Sequence, residues 1–281
     1  TDRANNLTTL IDPNKQGRPP TAKARQAQTL MRRIVEQRGY RQVGVITYQA
    51  LEPIFEGWDA GHFGGARGTN RFDEVDALFV LGTPMPNLHD LLQTATMLYQ
   101  QRMEPFSATE RPQFVVRPRA FAYRDPTGGG WAYPVSEFAD ADLNTILWQY
   151  RDAEMIQAVH RARINIRPAD VWLFANLPMD QLPPDYLVDY REIMGAPLGV
   201  DIWLWPQIEA ALDVYHEVGE VLSRQTLIDL TGANPHAIDR YLPIIVRTWP
   251  DRWRRRRPGE RLPSDPLKAG RDGLELLTQA L

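Results

Sequence analysis

The chain has no cysteine, which removes disulfides, thiolate metal sites and cysteine nucleophiles together. Its five histidines (His62, His89, His160, His216 and His236) are scattered, with no HxH or HxxxH spacing to suggest zinc. No apolar run approaches the roughly 18 residues that a membrane-spanning helix needs, and no signal peptide opens the sequence. The expectation is a soluble protein of the cytoplasm, or one associated with the nucleoid, with no membrane partner. A GxxxxGK[ST] phosphate loop is missing, and no Gly-Lys dipeptide occurs anywhere. Internal repeats and low-complexity tracts are absent too.

What is present is enough apolar material for a real core: 43% of 281 residues are hydrophobic and 24% charged, a length for one large domain or two modest ones. The net charge of −3 is a sum of unlike parts. Residues 1–41 carry nine Lys/Arg against three Asp/Glu, residues 42–218 carry 12 against 24, and residues 219–281 carry 11 against eight. Seven arginines fall between Arg247 and Arg261. An acidic middle between two basic ends suggests termini available to a polyanion. The sequence begins at Thr1 rather than Met, which fits a piece of a longer protein.

Residues 1–20 are polar, end in Pro-Pro and read as a flexible segment. Thr21 to Arg38 has helical spacing and stops at Gly39. Val43–Tyr48, Val75–Leu81 and Val171–Phe174 are short apolar runs of the kind that make buried parallel strands. Asn87–Gln101 and about Asp140–Arg163 read as helices, and residues 113–136 alternate around Thr127-Gly-Gly-Gly130 as a hairpin. Strands alternating with helices predict an α/β lobe, a parallel sheet with helices on both faces, over residues 21–184. Pro183-Pro184 marks the boundary to a mostly helical domain, residues 185–281.

In that domain helices are expected over Pro206–Val221, Arg224–Leu230 and Pro235–Thr248. Ser223 caps the second, and Thr231-Gly-Ala-Asn234 makes the tight turn before Pro235, a helix-turn-helix signature. Trp249, Trp253, Arg252 and Arg254, Arg255, Arg256 and Arg257, broken by Pro258-Gly259, suit the wing of a winged-helix module. There the third helix, with Arg240 and Arg247, would enter a groove while the wing arginines neutralise phosphates. The blander alternative is a module for protein contacts, with the arginine run as a solvated face. Trp203 and Trp205 read as core at the start of this domain.

The informative stretch of the lobe is His62-Phe-Gly-Gly-Ala-Arg-Gly-Thr-Asn-Arg-Phe72, followed by Asp73-Glu-Val-Asp76 and a strand. A Gly-rich, arginine-bearing loop presents backbone N–H groups and guanidiniums to phosphates. Some 80 residues later comes Glu154-Met-Ile-Gln157-Ala-Val-His160-Arg161-Ala-Arg163, at the end of a helix and before a strand.

This order resembles the C-terminal RecA-like lobe of superfamily 2 helicases, over roughly residues 21–178. Val43–Tyr48 resembles motif IV, Ala66-Arg-Gly-Thr-Asn70 with the following strand and Gly82-Thr-Pro84 resembles motif V, and Gln157-x-x-His160-Arg161 resembles motif VI. The resemblance implies that Arg67, Gly68, Thr69, Asn70 and Arg71 couple the nucleic-acid backbone to the nucleotide. It implies that Gln157, Arg161 and Arg163 serve catalysis, with an arginine finger for the γ-phosphate of ATP. The chain departs from the pattern at two places: Ile164 stands where the second arginine is usual, with Arg163 one place early, and His160 stands where Gly is usual. Which arginine is the finger is therefore open. Asp73-Glu-Val-Asp76 imitates a Walker B box, but a Walker B acid follows its apolar strand and this one precedes it. With neither Walker motif, ATP and Mg2+ are expected only together with an N-terminal RecA-like lobe of the same parent chain, and this chain alone should bind neither and be inactive. DNA or RNA is the expected partner. The rival from another class is a non-enzymatic DNA-binding replication or regulatory protein working through its winged helix; a pure protein-interaction platform is a third.

Overall fold

Five consecutive apolar or small residues, Val43–Thr47, can be buried on both faces only in the middle of a covered sheet, and all five are buried. The computed structural model describes residues 10–12, 19–65, 68, 70–99, 114–121, 131–217 and 222–250. They divide into two compact units, Thr1–Leu187 and Val188–Leu281.

The first unit is α/β. Its strands are β1 (Val43–Thr47), β2 (Asp59–His62), β3 (Ala77–Leu81) and, later in the chain, β6 (Asp170–Phe174). They form one parallel sheet in the order β2-β1-β3-β6, with Val45 opposite both Ala60 and Phe79, and Phe79 opposite Trp172. Alternate residues of β3 face opposite ways. Leu78 and Val80 pack with Ile46 against Met155, Ala158 and Val159 of helix α3 (Ala141–His160). Phe79 points the other way, stacked between Trp58 and Trp172 at centroid distances of 5.4 and 6.3 Å. Arg38, the last residue of α1 (Ala22–Arg38), lies over Trp172. Helices thus flank the sheet, as the α/β expectation required.

A 3-10 helix, Gln49–Phe55, leads from β1 toward β2. Sequence patterning found neither of these two elements. The 3-10 segment is short and contains Pro53, and β2 is the edge strand Asp-Ala-Gly-His, in which only Gly61 is buried. Helix α2 (Leu88–Leu98) is shorter than the expected Asn87–Gln101, Asn87 being its cap. Likewise α3 begins after its Asp140 cap and ends at His160, three residues before Arg163.

Strands β4 (Phe114–Phe121) and β5 (Trp131–Phe138) form a separate antiparallel ribbon. The expected Gly-rich turn at 127–130 lies outside the described residues. Buried polar groups fasten the ribbon to α3. Asn144 Oδ1 accepts the Phe138 N–H, Trp148 Nε1 donates to Glu137, and Arg119 pairs with Asp152, which also accepts from Arg151.

The second unit is helical: α4 (Tyr190–Met194), α5 (Trp205–Glu217), α6 (Arg224–Thr231) and α7 (Pro235–Thr248). Ser223 accepts the Thr226 N–H, Gly232 ends α6 in the left-handed region, and Asn234 caps α7 with Pro235 at its first position. Trp205 is buried and stacks on Trp249 at 5.0 Å, while Trp203 is half-buried. The proposed wing, including Trp253, lies outside the described residues. Among the described residues no helix is long and apolar enough to cross a membrane.

Candidate functional site

From the edge strand β2 the chain must cross β1 to begin β3, and Phe63, Phe72 and Val75 of the connecting segment pack on the face that α3 covers. Gly44 of β1 permits it. A Cβ there would lie 2.8 Å from Phe72 Cδ1 and 3.2 Å from Val75 Cγ1, so the loop presses directly on the strand. Phe72 and Val75, each 1% exposed, anchor it in the core shared with α3.

Side chains fix the rest of the crossing. His62 Nδ1 meets Glu52 of the 3-10 helix, and the His62 ring covers Gly65 so closely that no Cβ would fit. The Gly64 N–H donates to Glu154 Oε1 on α3 at 2.5 Å. Arg71 donates to the Ala60 carbonyl of β2, and Arg167 donates to the Val75 carbonyl. Asp76 accepts the backbone N–H groups of Arg41 and Gln42, and these bonds, Gln42 first, hold its carboxyl below the usual carboxylate range. It is a structural brace at the start of β1.

On the other side α3 runs out at His160. Arg161 closes the helix with its N–H on the Ala158 and Val159 carbonyls. Two residues on, Arg163 adopts φ 48°, the sole non-glycine with positive φ among the described residues. Its Nε lies 2.8 Å from Asp73 Oδ1, and its Nη2 donates to Asn70 Oδ1 at 3.3 Å. Loop and helix end together enclose a small open depression lined by Gly68, Asn70, Asp73, His160, Arg161 and Arg163. Its volume is about 110 Å³, well under the several hundred Å³ typical of a whole small-molecule pocket. It has room for one phosphate-sized anion. Among the described residues no side chain pairs with the Arg161 guanidinium.

The structure therefore brings Gly68 and Asn70 together with Arg161 and Arg163, across about 90 residues of chain. Gln157 does not join them; it is exposed, one turn back on α3. Arg71 is turned to the edge strand instead. Arg67 and Thr69 lie outside the described residues. Sequence reasoning set Asp73 aside with the Walker-like box, yet Asp73 lines the depression. Glu154 and Gly44 were also missed. A carboxylate three residues after Asn70 and a small residue inside an otherwise apolar strand were the available signals.

A second location was open a priori. In parallel sheets ligands often lie beyond the C-terminal ends of the strands where strand order reverses, here between β1 and β3. Tyr48 fills that ground: its hydroxyl donates to the Thr83 carbonyl at 2.7 Å and accepts the Thr83 N–H at 3.1 Å. A Cβ on Gly82 would lie 2.5 Å from the Tyr48 ring. The gap is packed with protein.

In the second unit Arg240 and Arg247 are exposed on α7. Asp239, on the same helix, is engaged by Arg224 of α6, whose Nη2 donates to Oδ2 at 2.7 Å, and this hydrogen bond keeps the Asp239 carboxyl below its ordinary range. Its charge is thereby paired, leaving His236 and Arg240 as the early polar side chains of α7. Arg252 and Arg254 to Arg257 lie outside the described residues. Among the described residues no group of three His, Asp or Glu is placed to hold a metal ion. No family model, curated protein or solved structure matches the chain.

Proposed function

We propose that the first unit is the second RecA-like lobe of a superfamily 2 helicase or translocase, followed by a winged-helix-like module that holds DNA. The observation that carries this is the convergence of the motif V-like residues Gly68 and Asn70 with the motif VI-like residues His160, Arg161 and Arg163 on one phosphate-sized depression. Phosphoryl transfer asks little covalent chemistry of the protein; it asks for cations placed where charge builds up on the transferred group. A cationic side chain on the rim of an open depression meets that demand when a nucleotide is presented by another lobe. Mg2+, which neutralises phosphate charge, would belong to that other lobe, the one expected to carry the Walker motifs that this sequence lacks. Arg71 would act indirectly, by bracing the coupling loop on β2.

Changing Arg161→Ala in the intact parent protein should lower ATP turnover by about 10³-fold or more and leave DNA affinity within about two-fold. Wild-type turnover in that variant removes the motif VI assignment. The second reading, a DNA-binding protein without catalysis, is favoured by the capped α6–α7 turn. It predicts that no parent form hydrolyses ATP, while the salt-sensitive DNA binding remains.

A further inference from the structure

Resting on that reading, we propose that the two arginines of the depression have different tasks: Arg161 is the cation that meets the phosphate, and Arg163 is a positioning residue that fixes the loop carrying Gly68 and Asn70 to the end of α3. The pattern resemblance leaves this choice open, and the contacts of the two side chains favour one division. A finger must bring uncompensated charge to an anion that arrives from outside. The Arg163 guanidinium is already committed, with Nε on Asp73 and Nη2 on Asn70. The carboxylate cancels its charge within the depression.

Arg161 differs in each respect. Its backbone is helical and bonded to α3, so the helix end sets its place. Its side chain lines the same depression with no ion-pair or hydrogen-bond partner among the described residues. Arg163 sits two residues later in the left-handed conformation, which turns the chain back so that its side chain reaches the loop. The Asp73–Arg163 pair joins the N-terminal approach to β3 with the segment that leads into β6. Loosening it would let Gly68 and Asn70 drift from Arg161 without removing the phosphate's cation. The carboxylate of Asp73 therefore belongs to the positioning of the site.

The test uses the full chain, with inorganic tripolyphosphate as the probe and the arginine Nε–H signals read by NMR, assigned through Arg161→Gln and Arg163→Gly. In the free protein the Arg163 Nε–H should be slowly exchanging, and Asp73→Asn should abolish that protection while Asp73→Glu restores it. On titration the Arg161 signal should move and the Arg163 signal should stay. Arg161→Gln should weaken the probe at least ten-fold. Arg163→Gly, which accepts the positive φ, should weaken it less and should broaden the backbone signals of Gly68 and Asn70. An Arg163 that leaves Asp73 and follows the titration while Arg161 stays silent overturns the division of tasks and keeps the phosphate site. Silence from both arginines overturns the division and the phosphate-site reading together.

Discussion

Gly44 and Phe72 show how much a single contact places. In a buried strand glycine sacrifices packing and conformational entropy, and here the hydrogen atom in place of a Cβ is what lets Phe72 rest on β1. Gly44→Ala must displace Phe72, and with it the loop that ends in Asn70 and Asp73; overpacking of this kind costs about 1–3 kcal/mol. Urea denaturation should show the loss, and a variant within about 0.5 kcal/mol of the wild type would mean that the loop yields freely. Tyr40 offers a second check. Burial, then its hydrogen bond to Asp170, pushes its phenol up from 10.0 to about 12. The unfolded chain ionises near 10, so the contribution of neutral Tyr40 to stability is fully present below that pH and is lost as pH rises to about 12. In Asp170→Ala the phenol should titrate lower in an ultraviolet titration, and the alkaline loss of stability, which still begins near pH 10, should be smaller and end at lower pH. An unchanged titration would place the whole shift on burial. At this scale the sequence was partly legible. Residue order pointed to Arg161, Arg163 and Asn70, and these three line one depression. It carried no sign that Arg163 would turn left-handed and take up Asp73, since a non-glycine φ depends on what the rest of the fold offers it.

Among the strands, legibility followed apolar runs: Val171–Phe174 announces β6 although only Phe174 is buried. β1 and β3 are buried at all five positions, so their apolar runs announce them. β2 is buried at one position of four and owes its existence to its pairing with β1, which local patterning does not record. The ribbon of β4 and β5 was visible from its alternation, but its attachment to α3 was not, because that rests on polar groups that sequence rules place at the surface. Glu137 is 2% exposed and Arg151 3%. Glu137 accepts from Trp148 Nε1 and from Asn144 Nδ2. Removing the acceptor strands the buried Asn144 amide and frees the partly exposed Trp148 N–H, so Glu137→Ala should cost about 1–3 kcal/mol, with Glu137→Gln recovering part of it. Chemical denaturation would measure both. Equal stability of Glu137→Ala and wild type would show that water replaces the carboxylate, and the ribbon would then be an appendage only loosely held to the helix that Arg161 caps.

For the whole molecule, a net charge of −3 describes no part of the chain well. The acidic excess lies in residues 42–218, the stretch that contains Arg161, and the basic excess lies at the two ends. A polyanion responds to local charge within a Debye length of about 8–10 Å, so an acidic total does not forbid DNA binding by a basic end. In the second unit the Arg224–Asp239 pair removes the one acidic side chain near the start of α7 from the balance, leaving Arg240 and Arg247 exposed on that helix. Each phosphate contact contributes about 0.9 to the slope of log affinity against log salt. Binding of duplex DNA by the full chain should therefore weaken steeply with salt, and Arg240→Ala with Arg247→Ala should reduce that slope by about two. Replacing Arg254 to Arg257 by alanine should reduce it further. Reversing the pair, with Arg224→Asp and Asp239→Arg together, should leave the slope unchanged, since the charge of that surface is conserved. Affinity that ignores salt, or a slope untouched by every one of these changes, would assign the helical unit to protein contacts and leave the α/β unit's arginines as the protein's sole claim on phosphate.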